Sequence, residues 1–271
     1  MRTKHSPCPD GISGRGARSV ASGPPGGSPF TRLPWGCTPG PPVSAVCVSL
    51  GLRICGSRFT GGIRLRGIGW WTVRILLVGA GGTLGSAVRE ALTGRGHEVI
   101  GVGRTGGDLI CDVTDPAAVA RLYAQAGPLD AVAVAAGDAV FKPLADLTAD
   151  DVTATFRGKA VAQLELVRQG AGHVAPTGSF TLVSGVLTEE PIVAGAAASA
   201  ANGAVEAFVR AAAIELPPQR INAVSPTVAE ESLAAYGPFF AGMEPVPAAR
   251  VATAYVRAVE GAQTGQVYRV R

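Results

Sequence analysis

The chain has 271 residues, 24 Lys+Arg against 20 Asp+Glu, a formal net charge of +4 and 47% hydrophobic residues. The charge is unevenly spread: residues 1–72 hold nine basic residues and one acid, Asp10, whereas residues 73–271 hold 15 basic and 19 acidic residues. The basic balance therefore belongs to the N-terminal segment and gives no reason to expect a nucleic-acid partner for the rest, and no run of 18 apolar residues predicts a membrane span.

Residues 1–72 read as an extension. Pro24-Pro25-Gly26-Gly27 and Pro39-Gly40-Pro41-Pro42 interrupt regular structure and no periodicity spans the segment, so disorder is expected. An Arg-rich, acid-poor start also fits a transit peptide or a basic arm for an acidic partner. We favour a plainer expectation, that the segment is not native and the natural product starts at Val73, where a GTG codon can serve as a bacterial start. Cys8, Cys37, Cys47 and Cys55 form no paired C-x-x-C elements, so no zinc or other metal site is expected. Residues 73–271 suffice for one domain burying roughly 70% of its unfolded surface. Their single cysteine, Cys111, fits a reducing, cytoplasmic setting.

From Val73 onward, strands and helices alternate. The predicted elements are a strand over Arg74–Val78, a helix over Thr83–Thr93, strands over His97–Gly103 and Asp108–Asp112, and a helix capped by Asp115 with Pro116 at its first position. A strand over Leu129–Ala135 follows, then a helix capped by Thr148 over Ala149–Gln169 and a strand over Ser179–Ser184. The remainder reads as a long alanine-rich helix over Ala196–Leu216, a strand over Arg220–Val224, helical segments near Val228–Phe240 and Ala248–Glu260, and a last strand over Gly265–Val270. Apolar strands separated by helices predict an α/β domain, a Rossmann-type doubly wound parallel sheet of about seven strands.

The most informative stretch is Val78-Gly79-Ala80-Gly81-Gly82-Thr83-Leu84-Gly85. A strand enters a glycine-rich turn that opens a helix, where free N–H groups and the helix dipole favour a phosphate. Gly79, Gly82, Thr83, Leu84 and Gly85 are the candidate pyrophosphate cradle; a tight turn without ligand is the alternative. After the second strand stands Arg104, where an acid would bind the ribose hydroxyls of NAD. Its guanidinium suits a 2′-phosphate and favours NADP, with NAD possible. Asp108 lies within reach of a ribose. Asp112 and Val113 follow the third strand, where an Asp can accept from the adenine amino group. Ala136 and Gly137 close the fourth strand and let a cofactor lie against the backbone.

The order GAGGTLG, GRT, CDVTD, VAAG, TLVSG, SAANGAVEAFVRAAAIEL and RINAVSP resembles the short-chain dehydrogenase/reductase family over essentially all of 73–271. The resemblance implies NAD(P)(H) binding and a homodimer or homotetramer built through the two long helices. It also implies hydride transfer to or from a small carbonyl or hydroxyl substrate. It matches Ser184 to the family's serine, places Ala198 and Asn202 where the family has the Tyr and Lys of Tyr-x-x-x-Lys, and places Arg157 at its asparagine. Pro226 is matched to the Pro of Pro-Gly after the sixth strand and is expected beside the cofactor. Losing a general acid costs roughly 10²–10⁴-fold. Ser184 and Asn202 are therefore expected to face the nicotinamide half, and Tyr236 is the candidate displaced acid. Lys159 and Arg157 are either cations near a substrate oxygen or surface and subunit contacts. The alternative function is a redox-inactive protein that binds NADP(H) as a sensor or to stabilise a partner.

Overall fold

A computed structural model describes residues 72–271. The expectations placed on the segment before them lie outside the described residues. Seven strands form one sheet in the order β3-β2-β1-β4-β5-β6-β7, and every neighbouring pair is parallel. They are β1 (Arg74–Val78), β2 (Glu98–Gly103), β3 (Leu109–Ile110), β4 (Leu129–Val134), β5 (Val174–Val183), β6 (Arg220–Pro226) and β7 (Val267–Val270). The helices between them are α1 (Thr83–Thr93), α2 (Pro116–Ala126), α3 (Ala149–Thr155), α4 (Ala162–Gly170), α5 (Ala196–Glu215), α6 (Leu233–Tyr236) and α7 (Ala248–Glu260).

Alternation along β1 explains the two layers. Ile75 and Leu77 point into one core with Val88 and Leu92 of α1 and Val251 and Tyr255 of α7. Leu76 and Val78 point into the other, with Leu122 and Tyr123 of α2, Leu166 of α4 and Val205 and Val209 of α5. Each fully buried Leu, Ile or Val contributes about 1.5–3 kcal/mol, and because both faces are covered, β1 has no polar position among Ile75–Val78. The Tyr255 hydroxyl donates to the Val134 carbonyl at 2.7 Å, which ties α7 to the C-terminal end of β4. The strand order reverses between β1 and β4, and in such sheets ligands bind outside the strand C-termini at that point. Among the described residues, no helix is long and apolar enough to cross a membrane.

Bounds shift by one or two residues at several elements, and four depart more instructively. The predicted strand over Asp108–Asp112 shrinks to Leu109–Ile110, because the Asp108 carboxylate accepts from the Gly101 N–H at 2.7 Å and closes a turn. The predicted helix Ala149–Gln169 begins as expected, with a capping box between Thr148 and Asp151. It is then interrupted by a π-helical turn over Phe156–Val161, where the Ala162 N–H reaches back to the Arg157 carbonyl. β5 starts five residues before its predicted first residue, at Val174. The segment Val228–Phe240 is a chain of short turns, of which α6 is the only α-helical one.

Candidate functional site

The loops that follow the strands meet at the C-terminal edge of the sheet. The first is the glycine turn between β1 and α1. Gly79 adopts φ +84°, and a Cβ there would lie 2.6 Å from the Ala136 Cβ. Gly85 is more constrained: a Cβ would lie 1.9 Å from the Gly79 carbonyl oxygen, so α1 packs directly on the turn. Gly82, expected to be a third required glycine, has ordinary space around its Cβ position, with 3.5 Å to the nearest atom. Gly82 is also the N-cap residue of α1; no side chain caps this end and no acid stands in the first turn. The first-turn N–H groups, including those of Thr83 and Leu84, therefore meet no protein anion, and an external one suits them.

The second loop carries Arg104, whose guanidinium lies 3.1 Å from the Asp138 carboxylate in an exposed ion pair. The pair links the loop after β2 to the loop after β4, on either side of β1. Asp108 is already engaged by the Gly101 N–H and by Arg89 at 2.9 Å. This leaves Arg104 as the prominent exposed cation of the loop after β2. Beyond β3, one oxygen of Asp112 accepts from the backbone N–H and the hydroxyl of Thr114 at 2.9 and 2.8 Å. These bonds hold the Asp112 carboxyl below the usual carboxylate range. Val113 packs half-buried against the α2-side core. Arg157 is exposed and reaches toward the Thr114 carbonyl at 3.5 Å, so it belongs to this end of the groove.

The third and fourth loops meet at a buried polar cluster. Ser184 follows β5; its N–H donates to the Val224 carbonyl at 2.9 Å, and its hydroxyl donates to Glu206 Oε1 at 3.1 Å. Glu206 is itself buried and also accepts from the Thr188 hydroxyl at 3.0 Å and from Arg210 at 3.3 Å. Asn202 stands one helical turn before Glu206 and is 2% exposed, and its Oδ1 has no partner among the described residues. Leaving such an atom unsatisfied costs about 1–3 kcal/mol, and a ligand hydroxyl or amide would relieve that cost. Gly185 gives Asn202 its room, since a Cβ there would lie 2.9 Å from Nδ2.

Lys159 completes the cluster. It projects from the π-helical turn, is 9% exposed, and its Nζ donates to the Ser184 carbonyl at 3.3 Å. Gly137 lies against it, so that a Cβ at 137 would meet the lysine Nζ at 3.4 Å. Burial pushes the ammonium down to about 8, with Asp138 opposing that shift. Gln163, one turn later, is fully buried and clamps the backbone of Val183 at both ends: its amide donates to the carbonyl and its oxygen accepts from the N–H, each at 2.8 Å. It also donates to the Lys159 carbonyl at 2.8 Å. The clamp fixes the π-helical turn on β5 and so fixes Lys159.

Above this floor is an apolar wall. Ala198, Val186 and Leu187 form a buried cluster with Phe141, Ile192, Phe240 and Met243 packed around it. Tyr236 lies in the segment after β6 and packs its ring on Phe141 at 5.8 Å between centroids, with its side of the segment exposed. Pro226 ends β6 opposite Val270, at the same edge of the sheet.

Of the residues singled out in the sequence, the structure gathers Ser184 and Asn202 in one buried cluster. The run Gly79–Gly85 and Ala136–Gly137 lines the adjoining end of β1 and β4. Tyr236 packs on Phe141, which belongs to the apolar wall. Glu206, Gln163 and Thr188 were not anticipated. Glu206 had a readable signal: Ala198, Asn202 and Glu206 are spaced four apart on a helix otherwise built of small residues. Gln163 had the same signal, four residues after Lys159.

Comparison with known proteins follows the same outline. A family model described as Enoyl-(Acyl carrier protein) reductase matches residues 61–268. L-xylulose reductase of Homo sapiens is 28% identical over 178 residues, 59% of this chain and 73% of that protein. The crystal structure of the protein lin1944 from Listeria innocua is 48% identical with a TM-score of 0.72, covering 74% of this chain and 100% of that one. A small-chain dehydrogenase in complex with NADPH is 24% identical with a TM-score of 0.67, covering 73% of this chain and 96% of that one.

Proposed function

The chain belongs to the short-chain dehydrogenase/reductase family, and from that premise we propose that it is an NADP(H)-dependent oxidoreductase acting on a small carbonyl or hydroxyl compound. The uncapped N-terminus of α1 carries this reading, because its glycine turn cannot accept side chains at Gly79 or Gly85 and offers unpaired N–H groups to an anion. Gly79–Gly85 would hold the pyrophosphate and Arg104 the 2′-phosphate. Asp112 and Val113 would border the adenine, Ala136 and Gly137 the ribose-nicotinamide link, and Pro226 the far side of the nicotinamide. The unpartnered Oδ1 of Asn202 fits a ribose hydroxyl or the carboxamide. When bound, the dinucleotide supplies or accepts hydride.

The family's acid position is Ala198 and its cation position is Asn202, so proton delivery falls to other groups. The apolar wall around Ala198 occupies the space facing a substrate and favours a small, largely apolar compound. The exposed Ile214 of α5 and Val161 of the π-helical turn support a subunit contact on that helical layer and hence a homodimer or homotetramer. We propose a cytoplasmic location, supported by the single cysteine, Cys111, of residues 73–271.

Fluorescence titration with NADPH and NADH, followed by turnover on a carbonyl panel, tests the proposal. Tight NADPH binding and oxidation by at least one carbonyl are expected; no affinity for either nucleotide contradicts it. Ala198 favours the second reading, a redox-inactive NADP(H)-binding protein, which predicts tight binding with no hydride exchange on any carbonyl.

A further inference from the structure

Buried ammonium groups are expensive, and they persist where a partner or a reaction uses them. Lys159 is the only lysine buried among the described residues. It has one hydrogen bond, to a neutral carbonyl, and no carboxylate within ion-pair distance among the described residues. Two of its three N–H donors are therefore left without a described acceptor. The group stands between the ends of β4 and β5, against Gly137 on one side and the Ser184 carbonyl on the other. This is the edge where the strand order places a ligand.

The other candidates for proton delivery point elsewhere. The Ser184 hydroxyl proton is directed at Glu206, so a substrate oxygen would meet its lone pairs. Arg157 is turned toward Thr114. Tyr236 packs its ring at a tilt on Phe141 in an exposed segment. We propose that Lys159 is the catalytic acid of the site, donating an Nζ proton to the substrate oxygen. The proposal rests on the oxidoreductase reading above and assigns the role that Ala198 cannot fill.

In reduction, a bound dihydronicotinamide would supply the hydride that forms the new C–H bond at the carbonyl carbon and would itself be oxidised. At the substrate, the C=O π pair moves to oxygen, one Nζ–H bond breaks and the alcohol O–H bond forms. Lys159 is left as a neutral amine and is reprotonated from water. An ammonium shifted to about 8 by burial transfers its proton more readily than an ordinary lysine near neutral pH. The charges facing it are Asp138 after β4, itself paired with Arg104, and Glu206 with Arg210 on α5, which reach Ser184 from its other side. Gln163 is a positioning residue, acting through the π-helical turn.

The chain contains three lysines, Lys4, Lys142 and Lys159, so ¹³C-labelled lysine side chains are readily assigned by NMR. In the full-length protein we expect one resonance, absent from Lys159→Arg, that titrates near pH 8 with and without NADP⁺. Titration of that resonance only above pH 10 overturns the proposal. With a carbonyl that the wild type reduces, Lys159→Met should lose about 10²–10⁴-fold in kcat while binding NADPH within threefold of wild type. The wild-type reduction rate should fall above pH 8, and Lys159→Arg should lack that limb. Lys159→Met should melt no lower than wild type at pH 7, which separates lost chemistry from lost folding. If the wild type binds no nucleotide or reduces nothing, the oxidoreductase reading fails, and this inference with it. If the wild type is active and Lys159→Met retains its rate and its alkaline limb, the lysine assignment alone is wrong.

Discussion

Gly85→Ala tests whether α1 and the glycine turn form one rigid cradle. The new Cβ would lie 1.9 Å from the Gly79 carbonyl oxygen and 2.7 Å from its carbon, where real Cβ atoms do not approach within 3.0 Å. Helix or turn must therefore move by about 1 Å. Overpacking of this kind costs about 1–3 kcal/mol, and an overlap with the backbone of both Gly79 and Ala80 belongs at the upper end. Replacing glycine by alanine in a helix returns about 1 kcal/mol, leaving a net loss of about 2 kcal/mol. For a domain of this size the melting temperature should fall by roughly 4–8 °C. The same shift moves the N–H groups of the first turn away from an anion. Each charge-assisted hydrogen bond is worth about 1.5–3 kcal/mol, so NADPH affinity should fall at least tenfold. Gly81→Ala is the control, because no atom lies within 4 Å of its Cβ position; it should melt within a degree of wild type. Differential scanning fluorimetry and fluorescence titration read both quantities. Wild-type stability and affinity in Gly85→Ala would refute the close packing of α1 on the turn.

Arg104→Ser should weaken NADPH binding by roughly 10–100-fold through loss of charge-assisted bonds to the 2′-phosphate, with NADH affinity unchanged in the same titration. Its melting temperature should barely move, since an exposed pair such as Arg104–Asp138 contributes about 0–1 kcal/mol; equal losses for both nucleotides would contradict the assignment. Gln163→Leu removes the clamp on Val183 and leaves a buried N–H and carbonyl unpaired, at about 1–3 kcal/mol each. Chemical denaturation should show a loss of at least about 2 kcal/mol, and an unchanged midpoint would remove Gln163 from its positioning role. Acid should destabilise the fold in a defined window. Asp151, bonded to Lys142 and Thr148, and Glu165, bonded to Arg168 and Gln169, are both held down to about 2. Their folded values lie below the unfolded ones of 3.8 and 4.5, so their stabilisation is present above pH 4.5 and lost as pH falls toward 2. Melting temperatures measured from pH 7 to pH 2 should decline chiefly below pH 4.5, and Asp151→Asn should show a shallower decline.

The parts of the fold written in local pattern were legible. β1, its glycine turn and α1 follow from four apolar residues, a left-handed glycine and an amphipathic helix, and they appear with the predicted bounds. Asp115 and Thr148 cap the helices expected of them because a cap depends on residues two or three positions away. The break at Phe156–Val161 was not legible. It depends on Gln163 reaching β5, twenty residues on in sequence, and no periodicity announces a π-helical turn. The same break decides the site. As a simple surface residue Lys159 would read as a solvated cation, and only its placement against Gly137 and Ser184 distinguishes it from Arg157, two residues earlier. Ser184 and Asn202 were singled out through the family resemblance, whereas the direction of the serine proton was not legible, because Glu206 approaches from α5, outside the local sequence around Ser184.

The most direct test of the account is a crystal structure with NADP⁺ bound. It should show the pyrophosphate on the N–H groups that open α1, the 2′-phosphate on Arg104, and the nicotinamide beside Ser184 and Asn202 with Lys159 Nζ facing its C4 side. A nucleotide bound away from the Gly79–Gly85 turn, or Lys159 withdrawn from the nicotinamide, would contradict it.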